Sequence, residues 1–351
     1  MDQRGTGGSQ PFQRSCGSDG QLPLIENGTE DEYLERAQLI AANCKKTVPE
    51  YSSYLRSIGT VQSATDFEYL RQHIGAQKVR LFGISYGTHI GLSYMKSYRS
   101  SVDRAILALT EGPNHTFKLP LQFDEAVKRI DLSRQRENKK PVFQLLKKAL
   151  SDFEGGRQIT ATALDRTSSS FGVSQFELKL FIRGFFGSAR QVDRLYYQIS
   201  NEDYHRLHKY VTGLRSLQKF RLKYYVTDCR SYASRDRLAL IDEQSKKSIL
   251  GRALNFPFPN VCSMLDVQPL PDKFRLPVKS DVPALLLSGD KDYKTPTENA
   301  VEISKGLSNY THVVEKGSFH RVCTKDECLN LVRQFMEQGA QNQSSNTIFI
   351  D

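Results

Sequence analysis

The sequence has no apolar run approaching the roughly 20 residues that a bilayer crossing needs. Its first residues, Met1-Asp2-Gln3-Arg4, open a polar, glycine-rich stretch without the apolar core of a signal peptide. Neither a membrane anchor nor an export address is expected in the chain as it stands. Zinc-finger spacing, an aromatic RNA-binding signature and a phosphate-cradling glycine loop with a following lysine are all missing. Internal repeats are missing too. Nucleic-acid binding, membrane binding and cofactor-dependent chemistry are therefore not expected, and no metal or cofactor is called for.

What remains is a globular composition. The 351 residues are 38% hydrophobic and 25% charged, with 19 Phe and 16 Tyr, outside the collagen-like and wholly disordered ranges. The length suits one large domain with an insertion, or two domains. Lys plus Arg exceed Asp plus Glu by 49 to 39, giving a formal charge of +10. The basic residues are spread through segments such as Arg129 to Lys148 and Arg206 to Lys223, among Leu, Phe and Tyr at helical spacing. They read as solvated helix faces.

Along the chain, apolar residues at three- and four-residue steps predict helices over Glu30 to Ala42 and Thr65 to Ile74. Lys78 to Ile84 is a short β-rich run, followed by a small-residue turn and a helical stretch from Thr88 to Tyr98. Ala105 to Leu109 reads as a second buried strand, spaced from the first as in a βαβ crossover. From Phe123 to Pro269 the pattern becomes basic, amphipathic and helical, with no clear buried strand. Strand character returns at Pro283 to Ser288 and His312 to Val314, with helices over Thr297 to Leu307 and Glu327 to Phe335. The expected division is a first core part over 1–122, a helical cap over 123–269, a second core part over 270–340 and a flexible tail over 341–351. The whole is an α/β fold with a mostly parallel sheet flanked by helices.

Gly83-Ile84-Ser85-Tyr86-Gly87 fits G-x-S-x-G, the nucleophile elbow, in which a sharp turn lifts a serine hydroxyl above the carboxyl end of a strand. Alone the pattern would arise by chance in roughly one chain of this size in ten. The β-rich run before it and the helical run after it supply the context the motif demands. Both glycines are expected where the turn leaves no room for side chains. A serine hydroxyl needs a base, and the base needs an orienter. Asp290 and Asp292 follow the buried strand Ala284 to Ser288, and His320 follows the next strand by a short loop. That places Ser, Asp and His in the chain order of α/β-hydrolases. Asp292 is preferred to Asp290, which lies nearer the strand and can cap the turn. The N–H of Tyr86 is the expected oxyanion-hole donor.

Several stretches together resemble the prolyl aminopeptidase and tripeptidyl aminopeptidase family of α/β-hydrolases. They are Asp2-Gln3-Arg4-Gly5-Thr6-Gly7-Gly8-Ser9, the elbow with Thr88, Glu111-Gly112-Pro113, Gly289 to Asp292 with Thr295-Pro296, His320, and Asn255 to Pro259 in the cap. The resemblance implies a serine exopeptidase acting on short peptides with a free amino terminus, with Ser85 as nucleophile, Asp292 as orienter and His320 as base. The family also carries, upstream of its Asp-x-Arg-Gly-x-Gly-x-Ser loop, a His-Gly-Gly-Pro-Gly-like turn that donates the other oxyanion N–H. Nothing here precedes Met1, so the expectation is an α/β-hydrolase fold lacking its N-terminal strands and half its oxyanion hole. An esterase or lipase, or a non-catalytic homologue, are the alternatives.

The cap restricts entry and favours short peptides or a chain end. An exopeptidase must also neutralise an ammonium group, preferably with a buried carboxylate. Glu111 is the first candidate, with Glu177, Glu202, Asp203 and Asp228 in the cap as others. The six cysteines form sequence-local couples, Cys16 with Cys44, Cys229 with Cys262 and Cys323 with Cys328, although six allow 15 pairings. Buried free thiols and metal binding by His320, Cys323 and Cys328 are the rivals. Disulfides would put the intact protein outside the reducing cytoplasm; free thiols would put it inside. Oligomeric state is left open.

Overall fold

The structure, a computed structural model, describes residues 2–9, 16–18, 22–162, 168–338 and 346–350. Among these residues nine strands form three sheets. In chain order they are β1 (Cys16–Gly17), β2 (Val79–Ile84), β3 (Val102–Ala108), β4 (Arg157–Thr162), β5 (Ser168–Val173), β6 (Lys219–Phe220), β7 (Ala284–Gly289), β8 (Tyr310–Glu315) and β9 (Asn346–Ile350).

The central sheet runs β2-β3-β7-β8-β9, every neighbouring pair parallel. Its inner strands are continuous apolar runs because helices cover both faces. Ala105, Leu107, Ala284 and Leu286 pack with Ile90, Leu92 and Met95 of the helix Tyr86–Ser97 and with Ala300 and Ile303 of the helix Thr297–Ser304. Ile106, Ala108, Leu285 and Leu287 point the other way, onto Cys328 and Phe335 of the helix Asp326–Gln338. The two-residue alternation of strand side chains thus splits one apolar run between two cores. No described strand pairs with the outer edge of β2, where Phe82 and Ile84 are 57% and 53% exposed.

β9 departs from the flexible tail expected over 341–351. Asn346–Ile350 runs parallel to β8 and buries Ile350 in the core that holds Ile106, Leu285 and Phe335. The Gln-, Asn- and Ser-rich composition masks a short β-branched and aromatic segment, Thr347-Ile348-Phe349-Ile350, whose ladder bonds come from β8. Residues 341–345 and 351 of that tail lie outside the described residues.

The segment between β3 and β7 holds helices Pro120–Arg136, Phe143–Asp152, Gln175–Arg183, Ala189–Ser200, His205–Arg215, Leu222–Ser231 and Arg235–Ser245. It also holds the antiparallel hairpin β4–β5, which the sequence pattern missed. The hairpin strands are mostly polar, and Ile159 and Val173 carry its contribution to the cap core. The helix Glu30–Thr47 starts at a Thr29–Glu32 capping box. It packs with Leu222, Val226 and Val261 and not on the sheet, so the first segment divides between sheet and cap.

All six cysteines pair as disulfides: Cys16–Cys44, Cys229–Cys262 and Cys323–Cys328, with Cα separations of 5.2, 5.2 and 5.0 Å. Cys323 and Cys328 are bonded to each other, which removes them as thiolate ligands beside His320. No helix among the described residues is long and apolar enough to cross a membrane.

Candidate active site

The carboxyl ends of β2, β7 and β8 bring three loops together, as open parallel sheets do. Ser85 follows β2 directly at φ 53° and ψ −122°, a conformation that a non-glycine residue adopts only under local strain. Its N–H is held by the Ala108 carbonyl at 2.9 Å and its own carbonyl accepts from Thr88 N–H at 2.8 Å. A Cβ on Gly83 would lie 2.6 Å from the Gly87 carbonyl oxygen, so only glycine fits there. Gly87 differs from expectation: a Cβ there would meet nothing within 4 Å.

His320 stands between the other two groups. Its Nε2 lies 3.1 Å from Ser85 Oγ and its Nδ1 2.8 Å from Asp292 Oδ2. Asp292 is fully buried and accepts from Thr295 Oγ1 at 2.6 Å and from the Lys294 N–H at 2.8 Å. Burial alone would raise its carboxyl pKa; the hydrogen bond and charge of His320, with the Thr295 hydroxyl, outweigh this and hold it below the ordinary aspartate value. Asp290 accepts from the Gly317 N–H at 2.8 Å and takes no part in this line. Tyr86 opens the helix Tyr86–Ser97, so its N–H is one of the four amides without an intrahelical partner.

Residues 1–325 match the model of a family described by the alpha/beta hydrolase fold. The chain belongs to that family. Solved structures similar to this hydrolase include MGS-M2, an alpha/beta hydrolase enzyme from a Medee basin deep-sea metagenome library. It is 14% identical with a TM-score of 0.34, over 82% of this chain and 74% of that one. The esterase EaEST from Exiguobacterium antarcticum is 14% identical with a TM-score of 0.34, over 93% of both chains. CumD from Pseudomonas fluorescens, a meta-cleavage product hydrolase, is 12% identical with a TM-score of 0.35, over 80% and 73%. At these identities the family rests on the match over 1–325. No curated protein matches the chain.

The hydrolase's serine and histidine open on a cavity of about 1170 Å³, walled on the cap side by Tyr224, Tyr225, Phe256 and Phe258. Gln3 and Gly5 of the N-terminal loop line it as well. Glu111 lies in it, but Lys118 Nζ is 3.2 Å from its carboxylate and His89 Nδ1 3.9 Å. Burial pushes the Glu111 carboxyl up; Lys118 and His89 more than reverse this, to about 2. Asp228 shares the cavity with no cation at ion-pair distance among the described residues, and burial together with the Glu111 charge lifts its carboxyl to about 8.

The remaining acids are elsewhere. Glu177 is buried between Arg215 at 2.7 Å and the Tyr33 hydroxyl at 2.7 Å, Glu202 faces Arg157 at 3.0 Å, and the Asp203 carboxylate accepts from the His205 N–H at 3.4 Å. None of the three lines the cavity. Nothing in the sequence singles out Asp228 among the cap acids or points to Lys118, because their closeness to Glu111 arises from cap placement and not from spacing. Thr88 and Thr295 are nearer to legible, since each sits within three residues of a triad member.

Proposed function

We propose that this hydrolase is a serine aminopeptidase that cleaves amide bonds next to the free amino terminus of short peptides, through an acyl-enzyme. The observation that carries the reading is the hydrogen-bonded line Ser85–His320–Asp292 opening on a capped cavity that also holds two carboxylates. Ser85 Oγ attacks the peptide carbonyl while His320 Nε2 takes its proton. Asp292 holds the imidazole in the tautomer that leaves Nε2 free and stabilises the imidazolium. The Tyr86 N–H donates to the oxyanion of the tetrahedral intermediate. His320 returns the proton to the leaving amine, and a water activated the same way releases the acyl group.

Asp228 and Glu111 support the preference for a free amine. The Lys118 ammonium already neutralises Glu111, so the site's spare acceptor is Asp228, which ionises when a substrate ammonium enters. The three disulfides support a location outside the reducing cytoplasm. An esterase reading uses the same triad, and the aromatic cap wall favours it by offering an apolar acyl site. Paired substrates separate the two: aminoacyl chromogenic amides with free and with acetylated amines. Strong loss on acetylation supports the aminopeptidase; equal turnover, or turnover of esters alone, sinks it.

A further inference from the structure

Seven charged side chains line the cavity: Glu111 and Asp228 against Lys118, Arg183, Arg221, Lys223 and Lys294. Lys118 is committed to Glu111 at 3.2 Å. Among the described residues, none of the other four cations has a carboxylate at ion-pair distance. Among the described residues no carboxylate therefore balances the cavity's excess of positive charge, and burial together with the Glu111 charge raises the carboxyl of Asp228 beside it. A site built only for an ammonium would not be lined this way, since like charges repel a cationic substrate.

Arg183 is the best defined of the four. It ends the helix Gln175–Arg183, and its Nη1 donates to the carbonyls of Ala253 at 2.9 Å, Leu254 at 3.2 Å and Phe256 at 3.1 Å. The Tyr293 hydroxyl donates to the Arg183 carbonyl at 2.8 Å. The guanidinium is thus fixed at one nitrogen while its Nε–Nη2 edge has no partner among the described residues and is not sealed in protein. That edge is the fork geometry that takes a carboxylate with two parallel N–H donors. The charges of Arg183 and Asp228 are both felt at Tyr224 and Tyr225 of the aromatic wall, and both residues line the cavity onto which Ser85 opens. In a peptide held by its amine for cleavage next to that amine, the terminal carboxylate belongs to the part released.

We propose that Arg183, with Arg221, Lys223 and Lys294 around the same cavity, binds a carboxylate on the part of the substrate that is released. Preferred substrates are then short peptides with a free C-terminus or an acidic side chain downstream of the cleaved bond. The inference rests on the aminopeptidase reading above. Arg183 and its neighbours act on specificity and not on the chemical step.

The test uses three peptides with the same free-amine residues and the same scissile amide: one ending in a carboxylate, one in a carboxamide, and one in a carboxamide but carrying an aspartate. In the unaltered protein, kcat/KM for the carboxylate peptide should exceed that for the plain carboxamide by about tenfold, as a charge-assisted bidentate contact allows. The ratio should shrink with added salt. Recovery by the aspartate peptide assigns the site to acidic side chains as well; no recovery assigns it to the chain end. In Arg183→Gln and in Lys223→Gln the ratio should fall toward one, read within each variant so that any loss of folded protein cancels. Equal rates on all three peptides in the unaltered protein, or an undiminished ratio in both variants, would overturn the proposal. Cleavage of none of them, with esters still hydrolysed, removes the aminopeptidase reading and this proposal together.

Discussion

His320 Nε2 and Ser85 Oγ, 235 residues apart in sequence, lie 3.1 Å apart in space. Nothing local holds them together. The elbow after β2 sets the serine, the loop after β8 sets the histidine, and the contact exists because both strands belong to one parallel sheet.

Replacing the triad members separates chemistry from binding. Ser85→Ala should remove turnover without unfolding the chain, because among the described residues Oγ makes no hydrogen bond other than that to His320. Asp292→Asn should lower kcat by about ten-thousandfold, the effect of imposing the wrong histidine tautomer. Steady-state kinetics on any cleaved substrate checks both, and a loss under tenfold in Asp292→Asn contradicts the assigned role.

Thr295→Val probes the layer behind the triad. The hydroxyl donates to Asp292 Oδ2 at 2.6 Å, and its removal leaves a buried carboxylate one donor short, at about 1–3 kcal/mol. Thermal unfolding should show a loss of stability, and the acid limb of the rate profile should move to higher pH because Asp292 loses a bond that favours its charged form.

The elements around the site were largely legible and their partners were not. The run Ala284 to Leu287 and the elbow at Ser85 announce themselves because buried parallel strands and the G-x-S-x-G turn leave strong local patterns. The triad's order followed from where the two late strands end. The hairpin β4–β5 escaped because its strands are mostly polar, and β9 escaped because five residues paired only to β8 have no signal beyond composition. The salt bridge between Lys118 and Glu111, which ties up one of the two cavity acids, depends on side-chain reach across a loop, which periodicity does not encode.

Asp228 links pH to both stability and binding. Its folded pKa, about 8, lies above the unfolded value, so the stability it confers is full below the unfolded pKa and is lost as pH rises through 8. Asp228→Asn should therefore raise stability at alkaline pH, by about 1 kcal/mol once screening by cavity water is allowed for. The same change should raise KM for free-amine substrates about tenfold or more while leaving kcat for acetylated esters near its original value. Denaturation at pH 6 and pH 9, with KM measured on both substrate classes, checks the pair of effects.

Glu68 gives the opposite sign. Arg71 donates to its carboxylate at 2.9 and 2.6 Å and the Tyr94 hydroxyl at 2.5 Å. The Arg71 hydrogen bonds, against burial, hold the carboxyl at about 2. Its folded pKa lies below the unfolded value, so its stabilisation is present above about 4.5 and is lost as pH falls toward 2. Glu68→Gln should flatten that part of the stability curve; an unchanged acid limb would contradict the assignment.

Reduction should weaken the cap before the sheet. Cys229–Cys262 closes 33 residues within the cap, a constraint worth about 3.7 kcal/mol in the chain-entropy picture. Thiol titration of unfolded, unreduced protein should find none of the six cysteines free. Six free thiols would remove the argument for an oxidising compartment.

The most direct measurement is covalent labelling of the hydrolase with an aryl phosphonate, followed by mass mapping of the modified peptide. A competent Ser85–His320–Asp292 line should give one adduct, on Ser85, that disappears in Ser85→Ala and falls steeply in His320→Ala. An unmodified Ser85 in folded protein, or equal labelling of the Ser85→Ala variant, would contradict the catalytic assignment.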